Sequence, residues 1–215
     1  MIADDRSGTP ARLVLATHNR HKIEELRAIL APLLPDLPGE AVVGAADVGA
    51  PEPVEDGVTF AENALIKARS LVDATGLPAV ADDSGLCVDV LGGAPGVFSA
   101  RWCGRHGDDQ ANLDLLLAQL ADVPEPHRGA HFACAAALVT PTGAEIVEHG
   151  SMPGTLLTEP RGDGGFGYDP ILRPEGESRS SAELSAEEKH AISHRGKAFR
   201  ALAPHVAEAL TAGGG

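Results

Sequence analysis

The stretch AVADDSGLCVDV, residues 79–90, constrains the fold of this 215-residue chain more than any other. Two adjacent carboxylates, Asp82 and Asp83, are followed by Ser84 and Gly85 and interrupt apolar segments of the kind that form buried strands. A charged side chain is costly to bury unless a partner compensates it. The fold must therefore expose these carboxylates or bring cations to them.

Two interpretations of the DDSG segment meet this requirement. Asp, Ser and Gly are favoured turn residues, so the segment could be a plain turn between strands at 77–81 and 86–91. Alternatively, the carboxylates lie at a sheet edge within a cleft and share a Mg²⁺ ion, because a divalent cation neutralises adjacent like charges. Glu55, just before a predicted helix, is a further carboxylate. The pattern alone supports a turn and a metal site equally.

The first predicted elements are a short strand at 13–17 and a helix that follows it directly. Asn19 is a plausible N-cap of this helix. The free backbone N–H groups and positive dipole at such a helix start suit a phosphate, and Lys22 could add a full charge. A surface lysine on an amphipathic helix explains Lys22 more simply. The apolar positions of the helix are Ile23, Leu26, Leu30 and Leu33.

A second helix is predicted over 59–76. Thr59 and Glu62 form a T-x-x-E capping box, and Gly76 is a C-terminal stop. Asn63 and Lys67 lie on a stripe separate from the apolar side, so both can reach a common target outside the core. The apolar side consists of Phe60, Ala61, Ala64, Leu65, Ala68, Leu71 and Val72.

The remaining pattern predicts a helix at 112–120, a hairpin around the PTG turn at 141–143, and further helices after a glycine-rich loop. Ser185 and Glu188 form another capping box, and Pro204 is expected to kink or end the last helix. Strands and helices alternate in the first half, so we expect an α/β fold with a mixed sheet. The chain should form one domain, 1–215, with disorder at 1–11 and 211–215.

Two segments in the second half could bind a ligand. The loop PRGDGGFGYDP carries Phe166 and Tyr168, and an aromatic face can stack on a planar base, although burial of the phenylalanine in the core is an equal alternative. Lys189, His194 and Arg195 lie near a predicted helix break. Cations at a helix end are common, but three donors that point the same way would form a binding site.

Composition excludes several classes of partner. The formal net charge of −14 opposes non-specific nucleic-acid binding, which depends on basic surface. The longest apolar stretches are far shorter than the ~20 residues that span a bilayer, and the first residues lack the apolar core of a signal peptide. Three widely spaced cysteines without a CxxC pair indicate a reducing compartment, so we expect a cytoplasmic protein without membrane contact.

Five segments, taken in order, resemble one known family. They are ATHNRHK, VEDGVTFAENALIKAR, ADDSGLCVDVLGGAPGVFSARW, GGFGYDPI and SAEEKHAISHRGKA, and the resemblance covers roughly residues 13–203. The chain is similar to the inosine/xanthosine triphosphate pyrophosphatase family. The resemblance implies an elongated two-lobed α/β fold with a central twisted mixed sheet, a cleft between the lobes and a homodimer. It also implies Mg²⁺-dependent hydrolysis of dITP, ITP and XTP to the monophosphate and pyrophosphate.

The resemblance assigns roles residue by residue. Glu55 and Asp83 would hold Mg²⁺, with Asp82 close by, and Asp83 matches the proton acceptor. The residues matching the substrate-binding positions are Thr17, His18, Asn19, Arg20, His21 and Lys22 for the triphosphate, Lys67 for the phosphates, Ser84 for the substrate, Phe166, Gly167, Tyr168 and Asp169 for the base, and Lys189, His194 and Arg195 for the purine.

Chemistry leaves two questions open at this stage. A metal-bound carboxylate has a depressed pKa and is a weak base. The chemistry therefore supports a role for Asp83 in orienting the metal ion and the water more strongly than a role as proton acceptor. The family function also has two alternatives, a pyrophosphatase of similar fold for modified pyrimidine nucleotides and a catalytically silent nucleotide-binding regulator. The regulator predicts loss of Asp83, Glu55 or Lys67, and all three are present.

Overall fold

The computed structural model describes residues 11–17, 20–35 and 37–212. In chain order the strands and helices are β1 (Leu13–Leu15), α1 (Arg20–Leu30), β2 (Val42–Gly44), α2 (Phe60–Thr75), β3 (Ala79–Val88), α3 (Asp109–Gln119), β4 (Gly129–Val139), β5 (Glu145–Leu156), β6 (Leu172–Pro174), α4 (Ala186–Ile192) and α5 (His194–Ala212). Short 3₁₀ turns connect several of them.

The strands form one mixed six-stranded sheet with the order β2-β1-β3-β4-β5-β6. β1 pairs in parallel with β2 and β3, whereas β3, β4, β5 and β6 pair antiparallel in succession. The β4–β5 hairpin turns at the predicted PTG segment. The predicted α/β class with a mixed sheet is therefore confirmed.

The DDSG segment is not a turn, and this part of the prediction was wrong. β3 is continuous from Ala79 to Val88, and its ladder with β4 runs unbroken from Ala79↔Val139 to Val88↔Ala130. A strand can carry these carboxylates because neighbouring residues point to opposite faces, where each meets its own cation. The compensating cations come from α2 and α5, which lie far away in sequence.

Helices cover both faces of the sheet. On one face, Ala64 and Ala68 of α2 pack against Ala81 of β3, and these small side chains allow the helix to lie close to the strand. On the other face, Val80 of β3 belongs to a cluster with Phe199 of α5 and residues of α1. A second large cluster is built around the far ends of β3 and β4. These two clusters are the largest of the apolar clusters that pack against the sheet.

The predicted helix signals are mostly confirmed. Thr59 and Glu62 form the capping box of α2, and Gly76 adopts φ 67° at its C-cap, a left-handed conformation that glycine tolerates without strain. Ser185 and Glu188 cap α4 in the same way. Leu33 is an exception. It was predicted on the apolar face of α1, but the helix ends at Leu30 and Leu33 is 45% exposed.

The last helix is longer than expected. Pro204 lies inside α5, which continues to Ala212, two residues into the tail that we expected to be disordered. Proline removes one backbone hydrogen bond, and the packing of α5 on β4 and β5 offsets that loss. Within the described ranges, no helix is long and apolar enough to cross a membrane.

Candidate active site

Two carboxylates meet one lysine on the α2 face of the sheet. The Nζ atom of Lys67 lies 3.1 Å from Oδ1 of Asp83 and 3.3 Å from Oε2 of Glu55. Asp83 comes from the middle of β3, and Glu55 comes from the segment that precedes α2. The sequence prediction that Asn63 and Lys67 share a target outside the core is confirmed, because both bind Asp83.

Asn63 is part of the same cluster. Its Nδ2 donates to Oδ2 of Asp83 at 3.2 Å, and its Oδ1 accepts from the backbone N–H of Gly57 at 2.9 Å. The side chain is nearly inaccessible, at 2% exposure of the residue. Gly57 is required for this contact, because a Cβ at that position would lie 2.6 Å from Oδ1 of Asn63.

Burial and charge shift the pKa values of the central pair. Burial raises the pKa of the Asp83 carboxyl above its ordinary value, and the neighbouring ammonium of Lys67 and amide of Asn63 offset only part of this rise. For Lys67, burial lowers the pKa, but the carboxylates of Asp83 and Glu55 outweigh it and the pKa rises. Lys67 is therefore a stable cation, whereas Asp83 is more basic than an ordinary exposed aspartate.

Asp82 lies on the opposite face of β3. Its Oδ2 accepts from Nε of Arg195 at 2.9 Å, and its side chain is 1% exposed. The same guanidinium donates to Oγ of Ser84 at 3.0 Å. Arg195 lies in the first turn of α5, so the predicted substrate residues Ser84 and Arg195 are in direct contact. Asp82 is separated from Glu55 and Asp83 by the sheet.

Thr17, the first residue of the predicted phosphate-binding segment, directly follows the carboxyl end of β1, which pairs with β3. The parallel ladder pairs Leu15 with Val80, and β3 continues past the end of β1 from that point. Thr17 is buried beside this edge. His18 and Asn19 lie outside the described residues, and only the helical backbone is described for Arg20, His21 and Lys22, at the start of α1.

The glycine-rich loop is organised by Asp169. Its Oδ2 accepts from the backbone N–H of Phe166 at 2.8 Å and from Nζ of Lys189 at 2.5 Å, and the residue is 3% exposed. Gly165 allows the loop to pass, because a Cβ there would overlap the Asp169 carboxylate. Lys189 also lies 5.4 Å from the centroid of the Phe166 ring. Asp169 thus joins the loop to α4.

Within the FGYD segment, Phe166 is exposed, Gly167 is half-buried, and Tyr168 and Asp169 are buried. Phe166 is 63% exposed, whereas Tyr168 lies in an apolar cluster and donates its hydroxyl to the carbonyl of Ser99 at 2.9 Å. Burial raises the pKa of Tyr168, so this phenol stays protonated. The backbone N–H of Gly167 donates to Asp109 at 3.1 Å. Of the two aromatic rings, Phe166 is the one that a base could reach.

His194, at the start of α5, is held by stacking. Its ring lies 5.0 Å from the ring of Phe132 with an interplanar angle of 20°. The backbone of α5 approaches β5 closely here, because a Cβ on Gly150 would overlap the carbonyl of His194. His194 and Arg195 are thus placed against the sheet, one residue apart.

Sequence reasoning did not assign two residues that support the site. Helical spacing puts Asn63 on the same stripe of α2 as Lys67 and predicts a shared target, but it does not identify Asn63 as a residue of the site. Asp109 binds the loop residue Gly167 across a separation of 58 positions. No local pattern could have indicated a contact of that kind.

A mixed α/β sheet whose central strand carries a carboxylate–lysine cluster on one face and a carboxylate–arginine pair on the other defines the class of α/β proteins with a polar site at a strand end. Comparison with known proteins makes this specific. A model of the Ham1 family matches residues 13–205, so the chain belongs to the Ham1 family.

The relatives of the chain are similar over nearly their full length. The chain is 69% identical to the dITP/XTP pyrophosphatase of Streptomyces coelicolor, over 93% of this chain and 98% of the relative. It is 54% identical to the dITP/XTP pyrophosphatase of Mycobacterium bovis, over 93% and 97%.

Solved structures share the fold. The nucleoside-triphosphatase / dITP/XTP pyrophosphatase of Mycobacterium abscessus matches with a TM-score of 0.75 at 52% identity, covering 90% of this chain and 99% of that one. A HAM1 protein of Coxiella burnetii matches with a TM-score of 0.82 at 40% identity, covering 93% and 100%.

Proposed function

We propose that this protein is a nucleoside-triphosphate pyrophosphatase that hydrolyses non-standard purine nucleotides, dITP or ITP and XTP or dXTP, to the monophosphate and pyrophosphate. It is a hydrolase acting on an acid anhydride, and the reaction removes these nucleotides from the pool. One observation carries the proposal: Glu55 and Asp83 converge on Lys67 in a chain that is 69% identical to a dITP/XTP pyrophosphatase.

We propose Mg²⁺ as the cofactor, and the donor set fits it. Oε2 of Glu55 and Oδ1 of Asp83 both lie within 3.3 Å of one cationic atom, so two carboxylate oxygens already converge on a single positive charge. Among the described residues, no group of three or more His, Cys, Asp or Glu side chains could hold a metal. Two carboxylates completed by substrate phosphates and water are a usual Mg²⁺ environment. Bound there, Mg²⁺ would neutralise phosphate charge.

The residues of the chain supply the rest of the chemistry. Water attacks the α-phosphorus, and pyrophosphate leaves in line. Asp83 would orient this water. Burial raises the pKa of its carboxyl, but a bound Mg²⁺ would lower it, so orienting the water is better supported than accepting its proton. Lys67 carries a full charge close to Asp83 and stabilises the negative charge that grows on the leaving oxygens.

A nucleotide that lies across the edge of β3 beyond β1 would reach both faces of the sheet. Asp83 and Lys67 would meet its phosphates on the α2 face, with Thr17 and the start of α1 beside them. Ser84 and Arg195 are available on the other face. This placement explains why adjacent residues of one strand belong to two ends of one site.

Base selection follows from hydrogen-bond polarity. Inosine and xanthosine present a 6-oxo acceptor, whereas adenine presents a 6-amino donor. Donors from His194, Arg195 or the loop backbone would pair with the 6-oxo acceptor and would leave the 6-amino donor of adenine unpaired. Such a mismatch is worth on the order of 10⁴-fold in kcat/KM. The exposed ring of Phe166, close to the cation of Lys189, offers a face for stacking.

A panel of nucleotides tests the proposal. Pyrophosphate release is measured from dITP, XTP, dATP and dGTP, with Mg²⁺ and with chelator. We expect fast release from dITP and XTP only, and only with Mg²⁺. Equal rates on all four nucleotides would refute the specificity, turnover only of modified pyrimidine nucleotides would favour that alternative, and absence of release would favour the regulator.

We also propose that the protein is a homodimer and is located in the cytoplasm. A homodimer follows from the family resemblance, and sedimentation velocity tests it directly. The three cysteines are free, which accords with a reducing, cytoplasmic compartment.

A further inference from the structure

We propose that Asn63 is a positioning residue that sets the geometry of the two carboxylates Glu55 and Asp83. The inference rests on the proposed function, in which these two carboxylates hold the metal ion. Asn63 is 2% exposed and lies behind Asp83, so it acts through that carboxylate.

The amide of Asn63 can adopt only one orientation. Its Oδ1 faces a backbone N–H, that of Gly57, which can only donate, and its Nδ2 faces the carboxylate of Asp83, which can only accept when ionised. A flipped amide would place two donors together at one end and two acceptors at the other. Both contacts therefore hold the side chain in a fixed direction between the segment before α2 and the middle of β3.

This link connects the two carboxylates. Gly57 lies two residues after Glu55, so the hydrogen bond to its N–H anchors the backbone that carries the Glu55 side chain. The other end of the same amide holds Oδ2 of Asp83 and leaves Oδ1 directed at Lys67. Asn63 thus fixes the rotamer of Asp83 and the backbone position of Glu55.

Lys67 also links Glu55 and Asp83, but it cannot hold both carboxylates in place once a metal ion is bound. Its ammonium contacts Glu55 and Asp83 directly, so it competes with any second cation for the same oxygens. Asn63 is neutral and approaches Asp83 through the other oxygen, so a cation at Oδ1 does not repel it. Hydrogen-bond partners of metal ligands typically contribute 10- to 100-fold to metal affinity.

Mn²⁺ titration without nucleotide, followed by electron paramagnetic resonance, tests this role. Carboxylate sites for Mg²⁺ also accept Mn²⁺, which makes it a suitable probe. We expect Asn63→Ala to bind Mn²⁺ about tenfold more weakly than the unaltered protein. Excess Mg²⁺ should restore most of its kcat, because the ligands remain and only their placement is lost.

Asn112→Ala is the matched control. Asn112 is also a buried asparagine near the start of a helix, and its Oδ1 also accepts a loop N–H, that of Cys103 at 2.7 Å. It lies away from Asp83, so we expect a loss of thermal stability with unchanged Mn²⁺ affinity. If Asn63→Ala does not fold, Asn63→Ser keeps a polar group that is too short to bridge Gly57 and Asp83, and it should show the same weakening.

Glu55→Gln separates failure of the inference from failure of the proposed function. Weak Mn²⁺ binding by both Glu55→Gln and the Asn63 variants supports the positioning role. If Glu55→Gln binds weakly while Asn63→Ala binds like the unaltered protein, the positioning role is overturned and the metal site stands. If Glu55→Gln binds Mn²⁺ unchanged, the metal assignment itself fails and the inference fails with it.

Discussion

Asp82 and Asp83 are adjacent in the chain but face different environments. The side chain of Asp82 is 1% exposed and is paired with Arg195 of α5, whereas that of Asp83 is 16% exposed and contacts Lys67 and Asn63 of α2. The alternation of a strand produces this separation, because neighbouring side chains point to opposite faces. At the residue scale, one of these carboxylates is therefore expected to act on substrate and the other to hold α5 in place.

Replacing Asp83 tests the first role. We expect Asp83→Asn to reduce pyrophosphate release from dITP at least about 100-fold, because the amide can neither accept a proton nor supply a full charge to a metal ion. The variant should stay folded, since burial raises the pKa of Asp83 and a neutral group at this position avoids that desolvation cost. Loss of the cooperative unfolding transition in circular dichroism would instead assign Asp83 a structural role.

Replacing Asp82 tests the second role. Asp82→Ala leaves the guanidinium of Arg195 without its carboxylate partner in a buried location, so we expect the free energy of unfolding to fall by about 3 kcal/mol. Urea denaturation measures this change. Affinity for Mn²⁺ should be unaltered, because Asp82 faces away from Glu55. Weaker metal binding at unchanged stability would show instead that Asp82 is a ligand.

At the element scale, the start of α2 carries much of the site. The Oγ1 atom of Thr59 accepts from the N–H of Glu62 at 3.1 Å, and the carboxylate of Glu62 accepts from the N–H of Thr59 at 3.1 Å. The same carboxylate accepts from Val58 at 2.7 Å. This capping box fixes where the helix begins and hence where Asn63 and Lys67 emerge.

Removing the cap should weaken the helix start. We expect Thr59→Ala to lower the free energy of unfolding by about 1 kcal/mol, the usual cost of losing a threonine N-cap. Thr59→Ser is the matched control, because its hydroxyl keeps the cap, and it should remain near the unaltered protein in the same denaturant titration. Equal stability of the alanine and serine variants would contradict a role for the cap.

The cap of α4 predicts a pH dependence. Hydrogen bonds from Arg179, and then from Ser185, lower the pKa of Glu188 from 4.5 to about 2. A folded-state pKa below the unfolded value means that the carboxylate stabilises the fold above pH 4.5 and loses this contribution as the pH falls towards 2.

Comparison with Glu188→Gln isolates this contribution. The difference in free energy of unfolding between the two proteins should be larger at about pH 6 than at about pH 3. Added salt should also reduce it, because the pair with Arg179 is exposed to solvent. A difference that is independent of pH would exclude the carboxylate charge as its source.

At the scale of the whole molecule, the site depends on how α5 docks onto the sheet. Gly150 of β5 lies opposite Cys134 of β4, which in turn lies opposite Ser84 of β3. A Cβ on Gly150 would overlap the carbonyl of His194 and lie 2.7 Å from the N atom of Ala198. This glycine therefore sets the distance between the first turn of α5 and β5, two strands from Asp83, the proposed catalytic residue.

Adding a methyl group at this contact should disturb both stability and binding. We expect Gly150→Ala to lower the free energy of unfolding by about 1–3 kcal/mol, the usual range for overpacking, and to raise the KM for dITP more than it lowers kcat. Gly39→Ala is the control, because its nearest neighbour is Cδ of Arg27 at 3.9 Å, and it should be close to neutral. An unchanged KM in Gly150→Ala would show that the docking of α5 onto the sheet does not affect purine binding.

The sequence by itself determined the local features of this protein. The capping boxes at Thr59 and Ser185, the stop at Gly76, and the shared target of Asn63 and Lys67 all follow from spacing within about one or two helical turns. The mixed α/β class follows from the order of apolar patterns along the chain. Such signals are readable because hydrogen bonds and side-chain periodicity within one element depend on nearby residues.

Only the tertiary structure decided what happens to AVADDSGLCVDV. The sequence alone permits a turn because no local residue compensates the two carboxylates, but Arg195, which compensates Asp82, lies 113 positions away. Likewise, the contacts that hold Tyr168 and Asp169 inside the fold come from Ser99 and Lys189, which lie 69 and 20 positions away in the chain. A charged or polar group can be buried where packing brings a partner from a distant part of the chain into contact with it. Here that contact depends on the packing of α2 and α5 against opposite faces of one strand.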